Sequence, residues 1–345
     1  MRDSESTLIK KRVRDYVVSI RDVAKHAGVA ISTVSKVLNH YPNVKEETKE
    51  KVNAAIAELG FVPNTIASAL SSKRTGRIAL VLDATRHSQT ADEIPMQYIM
   101  GAINKAKEKG MDIITVFFTM IAEMDLQAVT RYFQSQGIEG LIICGLSKDD
   151  TVLRELVESE KFKIVLIDAP GISRNTSSVH IDNTKAQYEV AKEFLRENNC
   201  KRILYISGKK NGYVSEERLA GMKQLAGEYD LTVLIRTGNF RELEARKLTM
   251  QYARCKDAII CASDLMAIGA MKALIDMDIY RPVCGFDGVS LMGYAGKQMH
   301  TVKQNFYNIA ANAVEELSRL LDGGSGQDII LPHKLIRIKY LDVIS

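Results

Sequence analysis

A short polar cluster near the amino terminus carries the side chains best suited to reading nucleic acid. One side of a predicted helix over residues 31–39 presents four polar residues, Ser32, Ser35, Lys36 and Asn39. Their hydroxyl, ammonium and amide groups can bond to base edges, and lysine can reach the acceptors of guanine. Because most of these side chains are short, the helix can approach the bases closely. The cluster predicts a recognition helix, and a plain three-helix bundle without a ligand is the alternative.

A second set of candidates follows apolar runs in the rest of the chain. Ligands of open α/β sheets bind beyond the carboxyl ends of the strands. Carboxylates and an arginine that converge there would suit a hydroxyl-rich small molecule, and an aromatic face could stack on it. An aspartate between a strand and a helix is also a common helix cap, which is the favoured interpretation of Asp264. The residues at predicted strand ends are Cys144, Asp168, Ser207, Ser263, Asp264 and Asp287.

The histidines and cysteines lack the spacing that catalysis or metal binding would require. The six histidines are dispersed, and neither an H-E-x-x-H nor a G-x-S-x-G sequence occurs. The five cysteines form no C-x-x-C pair, which argues against a zinc site and against disulfides. No glycine-rich loop opens a helix after a strand, as nucleotide binding would require. The chain is therefore predicted not to be an enzyme and to use no cofactor or metal.

The excess positive charge lies at the amino terminus. Residues 1–76 contain 13 Lys and Arg against 8 Asp and Glu, whereas the remaining chain has 34 of each sign. This asymmetry indicates a polyanion-binding end on a neutral body, with a solvated basic face as an equally weighted alternative. No apolar run approaches the roughly 20 residues of a membrane span. Since the amino terminus also lacks the apolar core of a signal peptide, a cytoplasmic protein without membrane contact is expected.

Three short helices would position the recognition cluster. Apolar residues at helical spacing predict helices over residues 20–27 and 46–59, on either side of the helix over 31–39. Gly28 and Gly60 follow the outer two helices, where positive φ can end a helix. Three short helices with a glycine turn between the first two match the helix-turn-helix plan.

From residue 77 onward, apolar runs alternate with helix-like stretches such as residues 98–110, 187–198 and 264–277. Alternation of this kind predicts parallel sheets covered by helices. Because about 270 residues exceed the usual size of one sheet domain, two lobes are expected. The predicted strands cover residues 78–83, 112–118, 140–145, 163–168, 202–207, 231–236, 258–263 and 282–287.

The motif D-V-A-x-x-A-G-V-x-x-S-T-V-S-K-V-L-N, residues 22–39, gives the head a specific resemblance. Residues 19–70 resemble the head of the lactose-repressor/purine-repressor (LacI/GalR-type) family. Ala30 and Lys45 depart from the family, which usually has serine as the cap at both positions. The resemblance implies base contacts from Ile31, Ser32 and Lys36, and phosphate contacts from Thr33, Ser35, Asn39, Asn43 and Thr48.

The stretch PNTIASAL, residues 63–70, resembles the hinge helix of the same family. The resemblance implies DNA contacts by Asn64, Ala67 and Leu70, with Leu70 wedged into a minor-groove step. An ordinary linker leucine is the alternative interpretation. The predicted organisation is a basic arm over 1–17, a DNA-binding domain over 18–63, a hinge helix and linker over 64–76, and a body over 77–345.

The body continues the resemblance through the landmarks V-H-I-D-N, R-L-A-G, S-D-L-M-A-I-G-A, G-F-D and T-V-K-Q. These imply the fold of type I periplasmic sugar-binding proteins, a two-lobed α/β body whose chain crosses between lobes near 176–180, 302–305 and 332–335. The expected N-lobe is 77–177 and 305–333, and the expected C-lobe is 178–304 and 334–345.

The sensing half departs from the family at residues 84–95, which are longer and lack its aromatics, and at Ala186, which replaces a usual glycine. The expected protein is a homodimeric transcription regulator, most simply a repressor. It would bind double-stranded DNA at a pseudo-palindromic operator and a polar effector, most simply a carbohydrate. A stand-alone sugar-binding protein and a metabolic enzyme are the alternatives. The resemblance assigns effector contact first to Arg218 and Asp287, and then to Asp168, Phe240, Ser263 and Cys144.

Overall fold

A computed structural model describes residues 18–38, 44–61, 76–83, 93–295 and 298–338. The chain divides into two compact units, a head over residues 1–74 and a body over residues 75–345. No helix within the described ranges is long and apolar enough to cross a membrane.

The head contains the three predicted helices, α1 (Ile20–Ala27), α2 (Ile31–Leu38) and α3 (Glu46–Leu59). Gly28 and Gly60 adopt φ values of 65° and 59° at the ends of α1 and α3, a left-handed conformation that glycine adopts without steric cost. The two glycines predicted from the sequence to end these helices therefore do so in the structure.

The core of the head is small. Val23, Val34 and Val52, one from each helix, are completely buried and belong to one apolar cluster. Lys45 precedes α3 and makes no side-chain capping bond. The absence of a cap costs roughly 1 kcal/mol at such a position, so the head is held by few interactions.

The first sheet of the body has the strand order β11-β5-β4-β3-β1-β2, and every pair in it is parallel. This sheet and its helices form the N-lobe. Its strands are β1 (Arg77–Leu82), β2 (Asp112–Phe117), β3 (Ile138–Cys144), β4 (Lys163–Ile167), β5 (Thr176–Ile181) and β11 (Asp328–Leu331). Its helices are α4 (Glu93–Glu108), α5 (Phe118–Ile121), α6 (Leu126–Ser135), α7 (Thr151–Glu158) and α12 (Phe306–Leu321).

The second sheet has the order β12-β10-β9-β8-β6-β7 and forms the C-lobe with its helices. Only the edge pair between β10 and β12 is antiparallel among the pairs described. The strands are β6 (Arg202–Ser207), β7 (Thr232–Thr237), β8 (Ala258–Cys261), β9 (Val283–Cys284), β10 (Met299–Lys303) and β12 (Lys334–Ile338). The helices are α8 (Asn183–Asn198), α9 (Tyr213–Glu228), α10 (Glu242–Tyr252) and α11 (Asp264–Asp276), with short 3₁₀ turns at Ala253–Cys255 and Ser290–Ala295.

Each of the eight predicted runs contains a strand, and the predicted parallel sheets are confirmed. None of the eight predicted runs covers β5, β10, β11 or β12. The first crossing was expected at 176–180, but these residues form β5 of the N-lobe sheet, so residues 178–181 belong to the N-lobe rather than to the C-lobe.

The buried strand β5 was not predicted because several of its side chains are polar. Ser177 Oγ donates to Glu316 Oε1 at 2.5 Å, and Ser178 Oγ donates to the carbonyl of Ala169 at 2.8 Å. Buried hydroxyls are acceptable when they are hydrogen-bonded. Their partners come from distant parts of the chain, so the local pattern could not reveal the strand.

Glycines allow neighbouring helices of the body to pack closely. A Cβ atom on Gly221 of α9 would lie 2.2 Å from the Thr184 carbonyl oxygen of α8, and one on Gly101 of α4 would lie 2.1 Å from the Tyr307 carbonyl oxygen of α12. Because these neighbours are backbone atoms, a side chain at either position requires the helices to separate.

The substitution Gly221→Ala should lower the free energy of unfolding by roughly 1–3 kcal/mol, because it overpacks the contact between α8 and α9. Gly227→Ala is the matched control, since it lies in the same helix with nothing within 4 Å of the added Cβ. The control should raise stability by up to about 1 kcal/mol through helix propensity. Urea unfolding measures both effects, and equal stability of the two variants would contradict the close contact.

Candidate nucleic-acid interface and ligand cleft

The polar face predicted for α2 points away from the core of the head. Ser32 and Lys36 are exposed, and Ile31 is 46% exposed, whereas Val34 and Val37 are buried. An exposed isoleucine beside short polar groups is suited to contact with base edges and thymine methyl groups.

The other implied DNA contacts in the head are less exposed. Thr33, Ser35 and Thr48 are half-buried, with Thr48 in the first turn of α3. Their small hydroxyls remain near the surface, as phosphate contacts require. Five more implied contacts, Asn39, Asn43, Asn64, Ala67 and Leu70, lie outside the described residues.

The body contains a buried arginine that joins several elements of the C-lobe. Arg218 of α9 donates from Nε to Asn183 Oδ1 at 3.0 Å, and from a terminal nitrogen to the Ala262 carbonyl at 2.6 Å. The same nitrogen lies 3.0 Å from Asp287 Oδ1. The guanidinium also lies over the Phe286 ring, 3.7 Å from its centroid. The two first-rank effector candidates of the sequence, Arg218 and Asp287, are therefore in contact.

Asp287 follows β9 in an uncommon backbone conformation, with φ of 123°. Its Oδ1 also accepts a bond from Gln304 Nε2 at 3.2 Å. Gln304 Oε1 and Ser215 Oγ are buried and have no hydrogen-bond partner within the described chain. Buried polar atoms without partners are costly, so these two atoms point to a polar ligand or ordered water.

Phe240 lies beside this cluster. A Cβ atom on Gly208 would be 2.0 Å from the Phe240 ring and 2.4 Å from Ser215 Oγ, so a glycine is needed where β6 leads into α9. Phe240 has φ of 57°, and Asp168 in the N-lobe has φ of 59°. Such backbone strain in non-glycine residues is concentrated at functional sites, and it affects three effector candidates, Asp168, Phe240 and Asp287.

The N-lobe contributes a smaller polar group at the ends of β3 and β4. The Tyr98 hydroxyl donates to Asp168 Oδ2 at 3.0 Å. Burial raises the pKa of Tyr98 well above its ordinary value, and the charges of Asp168 and Asp287 raise it further. Burial also raises the pKa of the adjacent Cys144 thiol, which is therefore neutral at ordinary pH. Asp168 of this group and Glu217 of α9, the residue before Arg218, line one cavity, so both lobes border the cleft.

Two polar residues at the start of α11, Ser263 and Asp264, form hydrogen bonds within the protein and do not point freely into the cleft. Ser263, a second-rank effector candidate, is the helix cap and accepts from the Met266 amide at 3.3 Å. Asp264 was predicted as the cap, and that interpretation is wrong, because its carboxylate instead accepts from the amides of Gly288 and Val289 at 2.7 and 2.9 Å. Burial, together with the charge of Asp287, raises the pKa of Asp264 to about 7.

Polar contacts join the lobes on both sides of the cleft. On one side, Lys148 Nζ of the N-lobe lies 2.6 Å from Glu216 of α9, and Asn211 donates to Asp149 at 3.0 Å. On the other side, Glu93 accepts from the Ser290 amide at 2.8 Å. Each partner is partly exposed, so these contacts are weak enough to exchange with water.

An acidic cavity of about 250 Å³ lies beside Asp168. His180, Glu217 and Asp328 also line it. Burial raises the pKa of Glu217, although a bond from Asn183 and the charge of His180 oppose the shift. The cavity lining therefore combines three carboxyl groups with one histidine.

Several side chains of this cleft were not predicted from the sequence, namely Tyr98, Asn183, Ser215, Glu217 and Gln304. Asn183 and Gln304 stand inside the landmarks V-H-I-D-N and T-V-K-Q, so a signal for them was present. Tyr98, Ser215 and Glu217 lie inside helices without a distinguishing local pattern, and only packing reveals them.

Comparison with known proteins agrees with this architecture. Residues 19–64 match the description "Bacterial regulatory proteins, lacI family", and residues 88–325 match "Periplasmic binding protein domain". The HTH-type transcriptional regulator MalR of Clostridium butyricum is 30% identical over 92% of this chain and 98% of its own length. The chain belongs to the lacI family of bacterial regulatory proteins. Members of this family regulate transcription and are not enzymes.

Other relatives cover the chain to a similar extent. Catabolite control protein A of Staphylococcus aureus is 28% identical over 92% of this chain and 97% of its own. A lac repressor dimer bound to operator and the anti-inducer ONPF has a TM-score of 0.79 at 24% identity, covering 94% and 99% of the two chains. The regulator CelR in complex with cellobiose has a TM-score of 0.68 at 24% identity, covering 93% and 99%. The two structures share the lacI-family fold of this chain.

Removing one partner of the buried pair should destabilise the body. Asp287→Ala leaves the Arg218 cation buried without its carboxylate, which should lower the free energy of unfolding by about 3–5 kcal/mol. The double variant Arg218→Met/Asp287→Ala should lose less than the sum of the single changes, because it removes both charges.

Asp276→Ala is the matched control, since Asp276 forms a 2.7 Å ion pair with Arg246 at the surface. It should cost no more than about 1 kcal/mol. Denaturant unfolding of Asp287→Ala, Arg218→Met, the double variant and the control Asp276→Ala measures these differences. Additive losses in the double variant would show that Arg218 and Asp287 are not coupled.

Proposed function

We propose that the protein is a homodimeric, cytoplasmic transcription regulator, acting as a repressor, whose operator affinity is set by a small polar effector. Its membership of the lacI family supports DNA binding by the head. The observation that carries effector control is the buried Arg218–Asp287 pair, which lies next to a cavity that both lobes line. A stand-alone sugar-binding protein would have no use for the head, so that alternative is not favoured.

In the proposed complex α2 lies in the major groove. Three exposed residues of α2, namely Ile31, Ser32 and Lys36, would meet base edges. Thr33, Ser35 and Thr48 would bond to phosphates, which fix the register without reading sequence. Asn39 and Asn43 are proposed to do the same on the strength of the sequence resemblance.

The proposed hinge over residues 64–76 would join each head to the body. Asn64, Ala67 and Leu70 would contact the minor groove, where an apolar wedge unstacks a base step and bends the duplex. Two hinges and two heads related by a two-fold axis would read a pseudo-palindrome.

The proposed effector is a neutral, hydroxyl-rich molecule, and a carbohydrate fits best. Arg218 can donate to hydroxyls, Asp287 can accept from them, and the Phe240 ring can stack on a sugar face. Asp168 and Cys144 would complete the site from the N-lobe, and Ser263 would border it. The cellobiose complex of CelR supports the same chemical class. A thermal-shift screen of neutral sugars tests the class, because a ligand of the native state raises its melting temperature.

An effector held by both lobes would control DNA binding by changing the relation between them. The effector would favour the arrangement of the lobes in which the Arg218 cluster and Asp168 both contact it. A ligand can shift the equilibrium between two lobe arrangements only if it binds one of them more tightly than the other. The exposed contacts between lobes, such as Lys148 with Glu216, would break and reform at small cost.

An apolar stripe on the N-lobe supports the proposed dimer. Met96, Met100 and Ile103 repeat at helical spacing along α4, and each is at least 43% exposed. Contiguous exposed apolar surface commonly marks an interaction site. A second copy of the chain is the proposed partner, as in the dimer of the lac repressor.

The substitution Lys36→Ala should weaken operator binding by roughly 1–3 kcal/mol and relax the preference at one base pair of each half-site, because it removes a base contact. Thr48→Ala is the comparison variant and should weaken binding to operator and random DNA alike. Fluorescence anisotropy at fixed salt measures both. If Lys36→Ala loses affinity equally on operator and random DNA, Lys36 does not read bases.

The substitution Met100→Lys should raise the dissociation constant of the dimer by at least about tenfold, because it places a charge without a partner in an apolar contact. Met120→Lys is the control, since Met120 is 51% exposed but lies outside the stripe. Sedimentation velocity distinguishes dimer from monomer. A dimer of wild-type affinity in Met100→Lys would exclude the stripe as the interface.

A further inference from the structure

Three side chains that commonly bind metals converge in the C-lobe, away from the ligand cleft. Glu193 and Glu197 lie one turn apart on α8, and His300 lies on β10. Their nearest ligand atoms all lie within 4.8 Å of one another. The group is at the amino ends of the C-lobe strands, whereas the effector candidates are at the carboxyl ends.

The geometry of the group fits a small coordination sphere. His300 Nε2 lies 3.3 Å from Glu197 Oε2. Two ligands of a tetrahedral zinc ion with bonds of about 2.0–2.1 Å are separated by about 3.3–3.4 Å. The imidazole and one carboxylate are therefore already spaced as two corners of such a sphere, and a carboxylate oxygen of Glu193 lies within 4.8 Å of both.

His300 is a fixed ligand. It is 9% exposed and packs edge-on against Phe194, with the ring centroids 5.7 Å apart. The neutral imidazole of histidine is a common metal ligand. A rigid, buried histidine beside two carboxylates differs from an ordinary cluster of surface acids.

Arg337 of β12 currently supplies positive charge to the group. Its Nε donates to His300 Nε2 at 3.0 Å, and its terminal nitrogen contacts Glu197 Oε1. The Nε2 lone pair therefore points at the Arg337 guanidinium, and Glu197 Oε2 lies 3.3 Å from the same nitrogen. The Arg337 side chain is 41% exposed, so it can move into water and leave this lone pair to another cation.

A cavity of about 170 Å³ opens beside the group. Glu197, His300 and Arg337 line it, together with Asn198, Tyr280 and Gln298. The cavity gives an ion a path to the ligands and leaves space for a water molecule as a further ligand.

We propose that Glu193, Glu197 and His300 bind a divalent transition-metal ion of the Zn²⁺ class, in exchange for the contacts of Arg337. An imidazole with two carboxylates suits zinc better than calcium or magnesium, which prefer oxygen ligands alone. The bound ion would link α8 to β10, whereas Arg337 links both to β12. No local pattern in the sequence predicts the site, because His300 is about a hundred residues from the glutamates.

The test titrates the full-length protein with Zn²⁺ alone by calorimetry. Wild type should bind Zn²⁺ saturably, and Glu197→Gln and His300→Ala should each lose that binding. Glu197 is exposed, so Glu197→Gln should fold normally. This variant keeps the test valid if His300→Ala is unstable. Arg337→Ala should gain about fivefold in Zn²⁺ affinity, which is the factor that an exposed ion pair contributes.

His333→Ala is the matched control, because it removes a 2.9 Å His–Glu contact to Glu189 on the same helix and leaves the proposed ligands intact. It should bind Zn²⁺ as wild type does. Titration with Co²⁺ excludes the exposed Cys255 as the ligand if the visible spectrum shows no thiolate charge-transfer band.

Any of three results would overturn the proposal. Wild type could bind no Zn²⁺, Glu197→Gln could bind it as tightly as wild type, or Arg337→Ala could bind it no more tightly. In each case Glu193, Glu197, His300 and Arg337 form only an ion-pair network that stabilises the C-lobe.

Discussion

The N–H groups of a buried guanidinium need hydrogen-bond acceptors. Several elements of the C-lobe converge to supply these acceptors to Arg218. Its bonds reach the first turn of α8 at Asn183, the end of β8 at Ala262 and the loop after β9 at Asp287. Gly221 lies one turn further along α9 and allows the close approach of α8 that brings Asn183 within reach. Separation of these helices would therefore disturb the cleft as well as the core.

The same arrangement explains how a ligand could act on the whole body. Asp168, Phe240 and Asp287 have positive φ, and Gln304 and Ser215 retain buried polar atoms without partners among the described residues. These costs are offset by the surrounding packing, and a polar ligand would reduce them further. Because Tyr98 and Asp168 belong to one lobe and Arg218 and Asp287 to the other, that gain depends on how the lobes are placed. Binding energy can thereby be coupled to a change between lobe arrangements.

Helix α8 connects the cleft to the proposed metal site. Asn183 at its start accepts a bond from Arg218, and Glu193 and Glu197 lie in its last turns beside His300. The helix is anchored at both ends by polar side chains and along its length by Val190 and Phe194, which are buried in the core. An ion at one end would stiffen the helix that contacts Arg218 at its other end.

The sequence by itself determined the head, because helix spacing and the glycines at 28 and 60 are local signals, and it determined the eight strands whose apolar runs are continuous. It also predicted Arg218 and Asp287 as effector candidates, through motifs that are contiguous in the chain, and the structure brings these two side chains into contact. Tertiary structure alone decided that the polar stretch over 176–181 is a buried strand, that Asp264 binds a loop rather than caps a helix, and that Glu197 meets His300. Each of these depends on partners far away in sequence, such as Glu316 for Ser177. A polar side chain is buried only where the folded chain supplies its hydrogen-bond partner, and a local pattern does not contain that partner.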